Sequence, residues 1–162
     1  MASFDAKRYT TNDWGVIGGG ALVLISSFLP WYGASSKFFS ASVSGWSAGF
    51  TAWFSILLCI AAAAFVLARV AGVNMPTMPM GPALLVLGLS GLALVLMVIR
   101  FLTLPKGGGG ILGSGFSYGP RIGIFLALIG ALVQVAAAVL SFRSSGERMP
   151  SRGASPSAPP TA

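Results

Sequence analysis

Four long apolar runs, separated by polar and glycine-rich segments, dominate the pattern along the chain. The runs cover residues 14–30, 50–70, 82–101 and 122–142. A helix needs about 20 mostly apolar residues to cross the hydrocarbon core of a bilayer, within a range of about 17–25. All four runs meet that length. The pattern therefore predicts an all-α integral membrane protein, a bundle of four spanning helices.

The end of the first run is marked by Phe-Leu-Pro-Trp-Tyr at 28–32. Proline ends a helix because it lacks the backbone N–H and its ring clashes with the preceding turn. Tryptophan and tyrosine side chains favour the boundary between membrane and water. We therefore predict five aromatic anchors at that boundary: Trp14, Trp31, Tyr32, Trp46 and Trp53.

A weaker copy of this arrangement follows the third run. A second Leu-Pro step stands at 104–105, and Ser-Gly-Phe-Ser-Tyr-Gly at 114–119 resembles Ser-Gly-Trp-Ser-Ala-Gly at 44–49. The recurrence indicates two related helical hairpins, although a shared Ser/Gly loop composition would produce the same likeness. We expect both linkers, 33–49 and 102–119, to be loops on one membrane surface, with the first as the surface that contacts a partner.

The two ends of the chain are polar and short of apolar bulk. Residues 1–13 are predicted to be a cytoplasmic tail, and residues 144–162, rich in Ser, Pro, Ala, Gly and Arg, a disordered cytoplasmic tail. Six Lys/Arg lie on the side of the termini and four on the other, which favours cytoplasmic termini under the positive-inside rule. Lys7 and Arg8 also fit a secretory signal peptide, but Asp13 beside the first run disfavours it.

Composition strengthens the membrane prediction. The chain of 162 residues is 55% hydrophobic and 8% charged, whereas soluble domains carry about 25% charged residues. So few charges cannot cover a water-facing surface, which indicates the bilayer as the main solvent. The formal charge is +7, but the basic residues stand at the ends of the apolar runs, which indicates topology rather than nucleic-acid binding.

The residue types that carry catalysis and metal binding are scarce. The chain has no histidine, one cysteine (Cys59) and three acidic residues, Asp5, Asp13 and Glu147, all outside the apolar runs. General acid–base catalysis and metal ligation need such groups close together at a protected depth. We expect no enzyme activity, no cofactor and no metal ion. The expected partners are the lipid bilayer and other membrane proteins or further copies of this chain.

Small and polar residues within the runs indicate how the helices pack. Small residues spaced by four let helix backbones approach closely in lipid. The predicted packing residues are Ala64, Ala68, Gly88, Gly91, Gly123, Ala127 and Ala131. Gln134 is the strongly polar side chain that lies deepest in a run. It indicates either an interhelical hydrogen bond or a polar station on a transport path.

Three features together resemble a group of small four-span integral membrane proteins of actinobacteria. These are Phe-Leu-Pro-Trp-Tyr at 28–32, Ser-Gly-Trp at 44–46 and a basic tail rich in Ser and Pro. The resemblance implies a bacterial plasma-membrane setting and adds no catalytic residue. We expect a non-catalytic accessory, scaffold or assembly partner. The alternative is a small transporter or channel subunit with Gln134 on its path.

Overall fold

The computed structural model describes residues 6–35, 39–74, 76–77, 79–103 and 117–147. Most of the described chain is helical, in agreement with the predicted class. A short 3₁₀ helix at Ala6–Arg8 precedes four α-helices: α1 (Thr11–Ser27), α2 (Phe50–Val70), α3 (Pro82–Leu102) and α4 (Ile122–Ser145). Helices adjacent in sequence pack together and α4 returns to pack along α1, so the four helices form a closed bundle.

Three of the helices are long and apolar enough to cross a membrane. These are α2 and α3, with 21 residues each, and α4, with 24. Their outward faces carry large exposed apolar side chains such as Leu57, Val95 and Leu132. Side chains of this kind are stable facing lipid and costly facing water. By length and composition this is therefore a membrane protein. Helix α1, with 17 residues, stands at the lower limit for a span.

A small antiparallel sheet corrects the all-α prediction. Strands β1 (Pro30–Ser35), β2 (Ser40–Ser44) and β3 (Ser117–Pro120) lie in the order β2-β1-β3. Part of the first linker, predicted as a loop, thus forms a hairpin that also pairs with the segment before α4. Backbone N–H and C=O groups near a bilayer need internal partners, and strand pairing supplies them. We call this end of the bundle the sheet end and the opposite end the terminal end.

Helix α1 is shifted toward the N-terminus relative to the predicted span. It begins at Thr11 because Thr10 and Asp13 form a reciprocal cap. The Thr10 hydroxyl accepts the Asp13 N–H at 3.3 Å, and the Asp13 carboxylate accepts the Thr10 N–H at 3.0 Å. This arrangement pairs two N–H groups that the start of a helix otherwise leaves free. The helix ends at Ser27, and Pro30 begins β1.

Helix α4 extends beyond its predicted end. Helix α4 includes Ser144 and Ser145, the first two residues of the predicted disordered tail. Gly146 then adopts φ = 69°, the left-handed conformation that commonly ends helices. The remainder of that tail, 148–162, lies outside the described residues, as does most of the second linker (104–116).

Glu147 caps a helix that is distant in sequence. Its carboxylate accepts the backbone N–H groups of Leu84 (3.1 Å) and Ala83 (3.4 Å) in the first turn of α3. The local N-cap, Gly81, has no side chain to do this, and Pro82 has no N–H to satisfy. A carboxylate at a helix N-terminus also interacts favourably with the helix dipole. The start of α3 is thus tied to the residue that follows the C-cap of α4.

The interior consists of two apolar clusters stacked along the bundle. The cluster at the sheet end is built around Trp31, Ile56, Met97 and Ile124. The cluster at the terminal end is built around Val16, Val66, Val86 and Ala138. Each cluster takes residues from at least three helices, so burial of these side chains couples the helices to one another.

Helices α1 and α4 cross with their backbones in close approach. A Cβ atom added at Gly19 would lie 2.6 Å from the Gly130 carbonyl oxygen, and one added at Gly130 would lie 2.9 Å from the Gly19 oxygen. One turn earlier in α1, a Cβ at Gly15 would lie 2.6 Å from the Ala137 Cβ. Packing of this kind drives helix association in lipid, where apolar burial between helices contributes little. The two helices therefore run antiparallel in backbone-to-backbone contact.

Gly18 and Gly19 provide a matched test of this crossing. Gly19→Ala should destabilise the protein by about 1–3 kcal/mol, because the added methyl group overlaps the α4 backbone. Gly18→Ala should be neutral or slightly stabilising, since nothing lies within 4 Å of a Cβ at Gly18. Thermal unfolding of the detergent-solubilised variants measures both effects. Equal unfolding temperatures for the two variants would contradict the close crossing.

Candidate functional site

Trp31 is a core residue of the sheet end. Its side chain is fully buried, and its indole N–H donates to the Ser26 carbonyl oxygen at 2.8 Å. The ring fits against two glycines, because a Cβ at Gly45 or at Gly123 would lie 2.7 Å from a ring atom. The structure thus differs from the predicted boundary anchor at this position. The cause is that β1 folds back over the bundle, and the glycines leave room for the ring.

The other predicted aromatic anchors lie nearer the surface. Trp46 is 38% exposed and donates its indole N–H to the Ser27 hydroxyl at 3.0 Å. Trp14 is 46% exposed at the terminal end, where its ring lies 5.4 Å from that of Tyr9. Trp53 is half-buried in α2. These three tryptophans therefore lie at or near the two ends of the bundle, where a membrane boundary would fall.

Exposed aromatic rings gather at the sheet end. Phe28 and Trp46 have ring centroids 6.3 Å apart, and Phe50 stands edge-on to Trp53 at 5.1 Å. Phe28 is 69% exposed and Phe50 63%. Phe39, beside β2, is exposed as well. We call these four exposed residues the aromatic rim: Phe28, Phe39, Trp46 and Phe50.

Tyr32 and Arg100 form a cation–π pair between β1 and the last turn of α3. The guanidinium carbon of Arg100 lies 5.4 Å from the centre of the Tyr32 ring. Burial raises the pKa of the Tyr32 hydroxyl above its usual 10.0, and the positive charge of Arg100 opposes part of that rise. The hydroxyl is therefore neutral at physiological pH. This cation–π contact joins the sheet to α3, although the two residues are far apart in the sequence.

Arg121 holds the other side of β1. Its backbone N–H donates to the Trp31 carbonyl oxygen at 2.7 Å. Its guanidinium group covers Gly33, so a Cβ added there would overlap it. Two arginines thus flank the central strand of the sheet, one from α3 and one from the start of α4.

Gln134 connects α4 to α2 in the bundle interior. Its side chain is fully buried, and its Nε2 donates to the Cys59 carbonyl oxygen at 2.8 Å. This contact is the kind of interhelical hydrogen bond that the sequence analysis gave as one of two interpretations of Gln134. Within the described chain, however, its Oε1 has no hydrogen-bond partner, and neither has the buried hydroxyl of Ser90. The second interpretation, that Gln134 is a polar station on a transport path, therefore stays a prediction.

The predicted packing residues divide into two groups. Gly123, Ala127 and Ala131 are buried on the inward face of α4. Ala64 and Gly88 are exposed, Ala68 and Gly91 are partly exposed, and nothing lies within 4 Å of a Cβ at either glycine. Those four residues lie outside the buried core, because α2 turns Cys59, Ala62 and Val66 inward and α3 turns Val86, Ser90 and Ala93 inward.

Sequence reasoning missed the glycines of the α1–α4 crossing. The available signal was Gly15-Val-Ile-Gly18-Gly19, in which Gly15 and Gly19 are spaced by four, as in close-packed membrane helices. Gly130 in α4 carried no such spacing with the predicted packing residues. Its role appears only when the two helices are placed together.

No metal centre is assembled by the described part of the chain, in which no group of three or more His, Cys, Asp or Glu could hold an ion. Comparison of the chain with protein-family models, curated proteins and solved structures finds no match. The function must therefore be inferred from the surfaces and the interior described above.

Trp31 and Trp46 allow a matched test of the sheet end. Trp31→Phe should cost about 1–3 kcal/mol, because it removes a buried hydrogen bond and leaves a cavity beside Gly45 and Gly123. Trp46→Phe should cost less than about 1 kcal/mol, because its ring is partly exposed and its hydrogen bond is near the surface. Thermal unfolding of both variants in the same detergent compares the costs. A larger loss of stability in Trp46→Phe than in Trp31→Phe would contradict the assignment of Trp31 to the core.

Proposed function

We propose that the chain is a non-catalytic integral protein of a bacterial plasma membrane and serves as an accessory, scaffold or assembly partner of other membrane proteins. Three helices long and apolar enough to span support the membrane setting. Helix α1 is the fourth span in this proposal, because it packs against both α2 and α4. Four spans put both termini on one side, and the positive-inside rule favours the cytoplasm.

The bacterial setting rests on the sequence resemblance at 28–32 and 44–46. The actinobacterial four-span proteins that share these short motifs suggest a plasma membrane. The non-catalytic role is supported by the sequence, which has no histidine and whose acidic residues lie outside the apolar runs.

The aromatic rim is the observation that carries the proposal of a protein partner. Phe28 and Phe50 leave more than half of their side-chain surface exposed at the same end of the bundle as Trp46. Exposed aromatic groups at membrane boundaries bind lipid head groups and also form the centres of protein interfaces. Phe28 directly follows α1 and Phe50 begins α2, while Phe39 and Trp46 flank β2. Packed helices and strands thus support the rings, which favours specific recognition.

Partner recovery from cells tests this role. A tagged chain extracted in mild detergent should retain a stoichiometric membrane-protein partner. Phe28→Ala with Phe50→Ala should lower that recovery by about tenfold, the effect of removing one interface hot spot of about 1.4 kcal/mol. The control is Leu132→Ala with Leu140→Ala, which truncates two exposed apolar side chains of α4 away from the rim. Equal recovery with both double variants would contradict a role for the rim.

A small transporter or channel subunit is the second candidate function. Four buried side-chain atoms have no hydrogen-bond partner among the described residues, and two of them, Gln134 Oε1 and Ser90 Oγ, lie within α4 and α3. These two atoms are the observation that favours it. Unsatisfied polar groups in a membrane interior are costly and often functional. Substrate groups or ions passing through the bundle would then interact with these two atoms.

Gln134→Leu separates the two functions. If Gln134 only joins α2 to α4, the variant should lose about 0.6–1.7 kcal/mol of stability, the usual range for interhelical hydrogen bonds. In that case neither the natural protein nor the variant should conduct ions or small solutes in liposome flux assays. A flux that is present in the natural protein and abolished in Gln134→Leu, with the fold retained, would instead establish the transporter function.

A further inference from the structure

The described acidic residues lie at one end of the bundle, whereas basic residues lie at both ends. The sequence contains three acidic residues, and none of them falls in the segments that connect the helices at the sheet end, 28–49 and 103–121. Asp13 stands in the first turn of α1, and Glu147 follows α4. Asp5 precedes α1 in the sequence and lies outside the described residues. The two described carboxylates therefore belong to the terminal end.

At the terminal end, the two described carboxylates are already used. Asp13 accepts the N–H of Thr10, and Glu147 accepts the N–H groups of Ala83 and Leu84. Each places a negative charge at the N-terminus of a long helix, where the helix dipole favours it. The two helix N-termini at the terminal end are thereby capped by carboxylates of the chain itself.

At the sheet end, the corresponding positions hold arginines. Arg121 is the residue directly before α4, and no side chain caps that helix. The guanidinium carbon of Arg100 lies 3.7 Å from where a Cβ on Gly49 would stand, at the start of α2, which also lacks a side-chain cap. A cation is unfavourable beside a helix N-terminus, which applies to Arg121 at α4 and to Arg100 at α2. Arg100 also stands in the last turn of α3, where its charge is favourable. The described chain offers these two groups no carboxylate.

Arg100 provides a second observation that points to a ligand. Its Nε atom is buried and has no hydrogen-bond partner among the described residues. An unpaired buried nitrogen of a charged group is costly, and a guanidinium binds phosphate oxygens through parallel N–H donors. The Tyr32 ring supports one face of this group at 5.4 Å and restricts its orientation. The Arg100 guanidinium group is thus partly oriented for an anion before the anion binds.

We propose that Arg100 and Arg121 bind phosphate groups of anionic phospholipids at the sheet end. A lipid is favoured over a soluble anion because both arginines stand at the ends of spanning helices, where long basic side chains reach the head groups. Their apolar neighbours are exposed as well: Leu102 is 66% exposed and Ile122 is 62% exposed. These side chains provide contact for acyl chains beside each guanidinium. This site is separate from any protein partner of the aromatic rim.

Lipid titration of the purified full-length protein tests the site. The protein in nanodiscs of phosphatidylcholine is titrated with phosphatidylglycerol, and retained lipid is measured by native mass spectrometry. Arg100→Gln and Arg121→Gln should each weaken phosphatidylglycerol binding about fivefold, because one arginine near an anionic membrane surface contributes about 1 kcal/mol to binding. The double variant should weaken binding about 25-fold. The control is Arg143→Gln, an exposed arginine at the terminal end, which should change binding less than twofold.

Two further arms separate the possible outcomes. Arg121 is exposed, so Arg121→Gln decides the result if Arg100→Gln does not fold. Inorganic phosphate, compared with sodium chloride at equal ionic strength, should not displace the lipid, and displacement would overturn the assignment to a lipid. Unchanged lipid binding in Arg121→Gln, or an equal loss in Arg143→Gln, would overturn the site itself.

Discussion

The contact between the backbones of α1 and α4 at Gly19 and Gly130 is the constraint on which the rest of the structure depends. Because neither residue has a Cβ, the two helices approach to a distance at which any larger side chain would overlap a carbonyl oxygen. The approach brings Gln134, one turn further along α4, beside α1 and within 2.8 Å of the Cys59 carbonyl oxygen of α2. One close crossing therefore positions three helices and determines which polar group is buried between them.

The sheet closes the same pair of helices at one end. Strand β1 leaves α1 and strand β3 leads into α4, so their pairing extends the α1–α4 contact beyond the helices. Trp31 then fills the space over Gly123, and the Arg121 N–H donates to the Trp31 carbonyl oxygen. The aromatic rim and the two arginines are held by this arrangement. The surfaces proposed for a partner and for lipid thus share a rigid support that the α1–α4 crossing makes possible.

The two ends of the bundle differ in the charges that lie beside their helix N-termini. Four long helices place two N-termini at each end, and each N-terminus favours a negative charge. At the terminal end, Asp13 and Glu147 provide it from within the chain. At the sheet end, Arg121 directly precedes α4 and Arg100 reaches the start of α2 from the last turn of α3. The lipid phosphates proposed to bind there supply the negative charge from the membrane.

The sequence by itself determined the class of this protein and its approximate helices, because both follow from the length and apolarity of runs, which are local properties. It also predicted Gln134 as a buried polar group, since so polar a residue within an apolar run needs an internal partner. Only the tertiary structure decided the sheet, the burial of Trp31, the cap from Glu147 and the glycines of the crossing. Each of these joins segments far apart in the chain, so no pattern within a single run could reveal its partner.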